Sequence, residues 1–177
     1  MNLIPIEGGV CAAKGFQAAG VHCGIRKNRS KKDLALIYSQ TECAVACTYT
    51  QNKVFGAPIT VTRKHVANGK AKAIICNSGN ANTCNANGVE IAEKTCALAA
   101  EALGISAEDV VVASTGVIGQ PLSIEPIAAG LPVLVSQLST QGSTDACEDI
   151  MTTDTYPKEC AYAFSLEGVE CHIGAIA

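Results

Sequence analysis

The sequence predicts an α/β or α+β fold, with strands and helices alternating along the chain. Three observations predict it. Short apolar runs at 71–76 and 110–113 end in polar, glycine-containing segments, as buried strands do. Between them, at 87–103, apolar residues recur with the period of a helix. Hydrophobic residues make up 48% of the 177 positions, against 16% charged and 4% aromatic. Disordered chains are polar and highly charged, so that balance excludes disorder and builds the core from Ala, Val, Ile and Leu.

Taken in order, residues 8–22 mix glycine with small apolar residues and predict a loop leading into a strand. Residues 33–38 (Asp-Leu-Ala-Leu-Ile-Tyr) predict a short apolar strand. The runs 43–50 and 57–62 predict further strands, with Pro58 placing the second at a strand start or a sheet edge. The helix at 87–103 carries Val89, Ala92, Cys96, Ala99 and Leu103 on one face and Glu90, Glu93, Lys94 and Glu101 on the other. Gly104 stops it. A weaker helix is expected after Ser123, with Pro126 in its first turn. Ser143 is expected to cap a short helix running to about Met151. From Cys160 to Ile173 the chain alternates around Glu167-Gly168, a hairpin turn. Mixed sheets with helices packed outside are the expected arrangement.

Composition also excludes function classes. A net charge of −3 gives no electrostatic case for nucleic acid. No apolar run approaches the roughly 20 residues needed to span a bilayer. The segment Met1-Asn2-Leu3-Ile4-Pro5-Ile6-Glu7 lacks the pattern of a signal peptide, so a cytoplasmic protein is expected. Ten cysteines are scattered with no CxxC pair, and three histidines do not cluster. Neither a metal site nor a disulfide framework is expected; most of the thiols should act as small hydrophobes. The high apolar content points to surface covered by a partner.

Four segments carry candidate chemistry. Arg26-Lys27-Asn28-Arg29-Ser30-Lys31-Lys32 holds five basic residues in seven, either a solvated loop or a contact for an anion such as a phosphate. Asn77-Ser78-Gly79-Asn80-Ala81-Asn82 follows a buried strand. It is either a polar strand-to-helix turn with Asn side chains capping the helix, or part of a site, since strand ends are where α/β sheets hold ligands. Ser114-Thr115-Gly116-Val117-Ile118-Gly119 also follows a strand. A Thr-Gly step there is an ordinary turn or a source of fixed backbone donors, as an oxyanion hole requires. Met151-Thr152-Thr153-Asp154-Thr155-Tyr156-Pro157-Lys158 holds hydroxyls, an acid and a base, and is otherwise a surface loop with an Asp154–Lys158 salt bridge.

In combination these stretches resemble the ornithine acetyltransferase (glutamate N-acetyltransferase) family of arginine biosynthesis. The resemblance runs through Gly8-Gly9-Val10, Lys14-Gly15-Phe16, Ala19-Gly20-Val21-His22-Cys23-Gly24-Ile25 and Lys32-Asp33-Leu34-Ala35-Leu36-Ile37. It continues through 77–82, 113–119 and 150–155, in order over essentially the whole chain. It implies a sandwich of two sheets between helix layers, related in logic to N-terminal-nucleophile hydrolases. It also implies a precursor that cuts itself before a threonine into α and β chains, usually assembled two and two. Residues 1–177 would be an α-chain portion of a larger domain that the β chain completes. The new N-terminal threonine would take acetyl from N-acetylornithine and pass it to glutamate, with acetyl-CoA a donor in some members and no resident cofactor. Carried over residue by residue, Thr115 and Gly116 match the oxyanion-hole pair and Thr152 a substrate-binding threonine. The family's substrate-binding lysine would follow Ala177 directly, and the nucleophile would lie further on. The competing expectations are a self-cleaving aminopeptidase or amidase and a non-enzymatic ligand-binding half.

Overall fold

The computed structural model describes residues 2–28 and 30–177 and bears out the α+β expectation. Its centre is a four-stranded sheet in the order β2 (Phe16–Val21), β3 (Leu34–Ala44), β4 (Lys70–Asn80), β5 (Val110–Val117). The first two pairings are antiparallel and β4–β5 is parallel, so this sheet is mixed. Parallel neighbours need a crossover, and α2 (Gly88–Leu103) supplies it. A second sheet, β1 (Ile4–Ile6), β6 (Glu159–Leu166), β7 (Val169–Ile176), is antiparallel throughout.

Alternation along the strands sends successive side chains to opposite faces. On one face Val21, Leu34, Leu36, Ala73, Ile75, Val110 and Val112 meet α1 (Ala57–His65), α2 and α3 (Glu125–Ser136) in the main core. On the other, Ala18 and Ala35 meet Ala146 of α4 (Ser143–Ile150) in a smaller cluster. The β4–β5 part of that second face is less covered: Ile74 is 41% exposed. A shallow apolar groove of about 140 Å³ runs there along Ile37, Ile74 and Val111.

The structure bears out α2, its Gly104 stop (φ 67°) and the start of α3 with Pro126 in its first turn. It also bears out the hairpin at Glu167-Gly168, whose φ values of 51° and 83° make a turn with two left-handed residues. It corrects four expectations. The run 57–62 is helical, because Pro58 sits in the first turn, where its missing N–H costs nothing. The β-branched run Ile59-Thr60-Val61-Thr62 suggested a strand, but packing decides. Val61, Thr62 and His65 face inward, and the Thr62 hydroxyl donates to the Val112 carbonyl (2.8 Å) and accepts the Val112 N–H (3.1 Å). His65 Nδ1 donates to the Val110 carbonyl at 2.8 Å, so α1 closes the free edge of β5. The expected strand 43–50 ends at Ala44. Ser143 lies inside α4 and caps nothing; its Oγ accepts the Val10 N–H at 2.9 Å.

The fourth correction concerns the buried face of α2. Ala92, Cys96 and Ala99 are buried as expected, but Val89 is 41% exposed, and Ile91, Thr95 and Ala100 complete the seam. Val89→Asp is therefore expected to change stability by no more than about 0.5 kcal/mol. An acidic residue in the first turn also suits the helix dipole. Urea unfolding checks this, and a loss of several kcal/mol would restore Val89 to the core.

Candidate active site

The C-terminal ends of the parallel pair β4–β5 bring two of the sequence-predicted segments side by side. Neither is a loop over its whole length: Asn77–Asn80 and Ser114–Val117 continue their strands, with Asn77 opposite Ser114, Ser78 opposite Thr115, Gly79 opposite Gly116 and Asn80 opposite Val117. Asparagine side chains hold this end together. Ser114 Oγ donates to Asn77 Oδ1 at 2.6 Å, and Asn77 Nδ2 donates to the Asn80 carbonyl at 2.9 Å. Asn80 Nδ2 donates to the Gln120 carbonyl at 3.0 Å, tying β4 to the segment after β5. Asn82, at φ 48°, donates through Nδ2 to the Gly88 carbonyl at 2.8 Å. It thus braces the start of α2 without capping an N–H. The expected Asn capping of the helix is therefore absent, and 77–80 form the scaffold of the Thr115 strand.

Gly116 is at φ 129°, and a Cβ built on it would lie 2.5 Å from the Gly79 carbonyl carbon and 2.7 Å from Asn80 N. Only glycine fits that approach. Thr115 is half-buried and Gly116 is exposed, so this strand end faces outward. Thr152 is half-buried in the bend after α4, where its N–H reaches Asp154 Oδ2 at 3.3 Å. Asp154 and Lys158 form the i,i+4 ion pair of a surface loop; the Lys158 ammonium holds the Asp154 carboxyl below its usual range.

Arg26 connects the Thr152 bend to the strand ends. It belongs to the basic stretch, of which Arg29 lies outside the described residues. Its guanidinium turns inward and Nη2 donates to the Met151 carbonyl. Its stem lies against Gly79 (φ 98°), where an added Cβ would be 2.6 Å from Arg26 Cγ. Lys32 is also committed, in an ion pair with Asp145.

Two buried acids behind this end were missed by sequence reasoning. Asp33, fully buried, accepts the N–H groups of Cys23 (2.6 Å), Gly24 (3.2 Å) and Arg26 (2.8 Å) and so shapes the turn after β2. Asp149, on α4, is 0% exposed, and neither carboxyl oxygen has a hydrogen-bond partner. Burial first, then the Asp33 charge, pushes its pKa up to about 8; Leu34 backbone, Arg26 and Lys32 oppose this less strongly. The only sequence signal was an acid set among Ala146, Cys147 and Ile150 on a short helix. The Cys76 thiol is not poised as a nucleophile: burial, then Asp149, holds it up at about 12. The described residues hold no group of three or more His, Cys, Asp or Glu placed to bind a metal. A cavity of about 660 Å³ lies elsewhere, between Glu7, Ser143 and Glu159, and Thr115, Gly116 and Thr152 do not line it.

This geometry has close counterparts among known proteins. A family model described as the ArgJ family matches residues 17–177. The arginine biosynthesis bifunctional protein ArgJ of Symbiobacterium thermophilum is 46% identical over 174 residues, covering 97% of this chain and 43% of that protein. Its namesake in Bacillus subtilis is 42% identical over 178 residues, covering 99% and 43%. The chain thus spans less than half the length of these curated relatives. Among solved structures, the ArgJ protein of Bacillus halodurans aligns at a TM-score of 0.93 and 37% identity, covering 99% of this chain and 93% of that one. The ornithine acetyltransferase of Mycobacterium tuberculosis, complexed with ornithine, aligns at 0.91 and 32%, covering 99% and 94%.

Proposed function

The chain belongs to the ArgJ family, and on that footing we propose that it is the α chain of an acetyltransferase of arginine biosynthesis. The enzyme moves acetyl from N-acetylornithine to glutamate through an acetyl-threonine on a β chain cut from the same precursor. No resident cofactor takes part. The assembly is two α and two β chains in the cytoplasm. Among the described residues no helix is long and apolar enough to cross a membrane.

The observation that carries this reading is the likeness, over 99% of the chain, to an ornithine acetyltransferase solved with ornithine bound. The two-chain reading has its own support. This chain covers 93–94% of the solved relatives' chains but 43% of the curated proteins, so those solved chains are about half the curated length. Exposed Ile74, Val117, Ile118, Leu166, Val169 and Ile173 offer apolar surface for a second chain to cover. Every relative reported above is named for arginine biosynthesis or ornithine acetyl transfer, which disfavours the hydrolase and the non-enzymatic half.

In this mechanism the threonine Oγ attacks the acetyl carbonyl while the threonine's own α-amine accepts the hydroxyl proton. The tetrahedral oxyanion rests on donors of Thr115 and Gly116. It collapses as the C–N bond breaks, the proton passes to the leaving amine, and ornithine departs. The glutamate amine then attacks the acetyl ester, releasing N-acetylglutamate and the free threonine. Thr152 holds the amino-acid part of the substrate.

The test is co-expression of this chain, extended through the expected lysine, with the downstream half beginning at its threonine. The pair should transfer acetyl from N-acetylornithine to glutamate, and mass spectrometry should find an acetyl adduct on that threonine. Without the downstream half, which carries the nucleophile in this reading, transfer should be low. Robust turnover by the lone chain would overturn the assignment of the nucleophile.

A further inference from the structure

We propose that Arg26 is a positioning residue of this site: its side chain holds the Thr152 bend at a fixed spacing from the strand that carries Thr115 and Gly116. The inference rests on the functional reading above for those three residues' roles, and on geometry for the tether itself.

Three layers make the link. The backbone of Arg26 is anchored by its N–H to the buried Asp33 carboxyl at 2.8 Å, in the turn whose Cys23 and Gly24 N–H groups bind the same carboxyl. The stem then crosses the α-carbon of Gly79, with no room for a side chain between them. Gly79 in turn pairs with Gly116, which has no room for a side chain on its side either. Arg26, Gly79 and Gly116 therefore stack at backbone thickness. At the far end Nη2 donates to the carbonyl of Met151, the residue before Thr152, across 125 positions of sequence. A hydrogen bond from a charged donor is among the stronger ones, and this one closes a bend that follows the end of α4 at Ile150. Arg26 Nε is buried without a partner.

The oxyanion strand does not depend on this tether, since β4–β5 pairing and the Ser114–Asn77 bond hold it. Loss of Arg26 should therefore weaken substrate binding more than it slows the chemical step. In the full-length protein, Arg26→Ala is expected to raise KM for N-acetylornithine by about tenfold and to leave kcat within about threefold. Arg26→Lys keeps a cationic donor and should return KM to within about threefold of the parent. Hydrogen exchange gives a readout independent of activity. The Thr152 amide, which donates to Asp154 Oδ2, should exchange faster in Arg26→Ala, with the β3–β4 amides at the parental rate. Parental KM together with parental exchange would overturn the proposal. So would faster exchange throughout β3–β4, which would make Arg26 a general stabiliser. If the parent itself transfers no acetyl, the functional reading fails, and the exchange of the Thr152 amide decides the tether alone.

Discussion

Thr115→Ala in the assembled enzyme is expected to lower kcat for acetyl transfer by roughly 10²–10³-fold, with a smaller change in KM. The asymmetry follows from where the charge develops. A donor aimed at the oxyanion strengthens only as the carbonyl becomes tetrahedral, so its loss is felt in the transition state. Thr115 sits at the outward end of β5, half-buried, with its backbone fixed opposite Ser78. A side-chain deletion there leaves the strand intact, and thermal stability should stay at the parental level. Thr115→Ser retains the hydroxyl and should retain most of the rate. Gly116→Ala is expected to fail differently. It puts a Cβ 2.5 Å from the Gly79 carbonyl carbon at a φ of 129°, so the two strand ends must part. Activity and stability should fall together. Steady-state kinetics at saturating N-acetylornithine and glutamate, with melting curves, separate the two. A Thr115→Ala enzyme with parental kcat and raised KM would move Thr115 to ground-state binding. If instead only the backbone N–H donates, Thr115→Ala would be near normal and Gly116→Ala alone inactive.

What the sequence revealed follows from how local each cause is. Helix α2 was legible because its period, its charged face and its Gly104 stop all lie within 17 consecutive positions. The exposure of Val89 was not, because the rotation of a helix about its axis is set by the sheet it packs on. Helix α1 was misread for a related reason. A β-branched run looks like a strand, and only its cover of the β5 edge, through Thr62 and His65, makes a helix the better use of it. Strands β4 and β5 were expected to stop at Cys76 and Ala113, where apolar residues end. They run on because Asn77 and Ser114 bond to each other across the pair. Polar residues that satisfy one another look from sequence like a loop. The Thr115-Gly116 step stood out as a strand-end source of donors, but the roles of Thr115, Gly116 and Thr152 came from a family resemblance over residues that the comparison extends across 17–177. Arg26 and Asp149 carried no comparable signal. Arg26 reads as part of a solvated charge run until the chain brings Met151 beside it.

Asp149 leads to the second large effect, a pH dependence of stability that Asp149→Asn should remove. The carboxyl is fully buried, its oxygens lack partners, and Asp33 adds a like charge. Arg26 and Lys32 pull the other way without reversing the balance. The folded state thus favours the neutral acid, with a pKa of about 8 against an ordinary 3.8. The sign follows. Below about pH 4 the side chain is protonated whether the chain is folded or not, and no stability is lost. Between there and about pH 8 the unfolded chain releases the proton while the folded one keeps it, so stability declines as pH rises. The ideal slope is about 1.4 kcal/mol per pH unit, which makes the whole window worth several kcal/mol as an upper bound. Above pH 8 the loss is complete and the slope ends. Asparagine has the shape of the protonated acid and does not titrate. Asp149→Asn should match the parent within about 1 kcal/mol near pH 4 and exceed it by roughly 2–4 kcal/mol near pH 8. Urea unfolding of the full-length protein and the variant at several pH values reads this directly as a difference curve. A flat difference between pH 4 and 8 would mean that the Arg26 charge, not burial, sets the state of Asp149. The acid would then be ionised in the fold, and Asp149→Asn would cost stability at neutral pH.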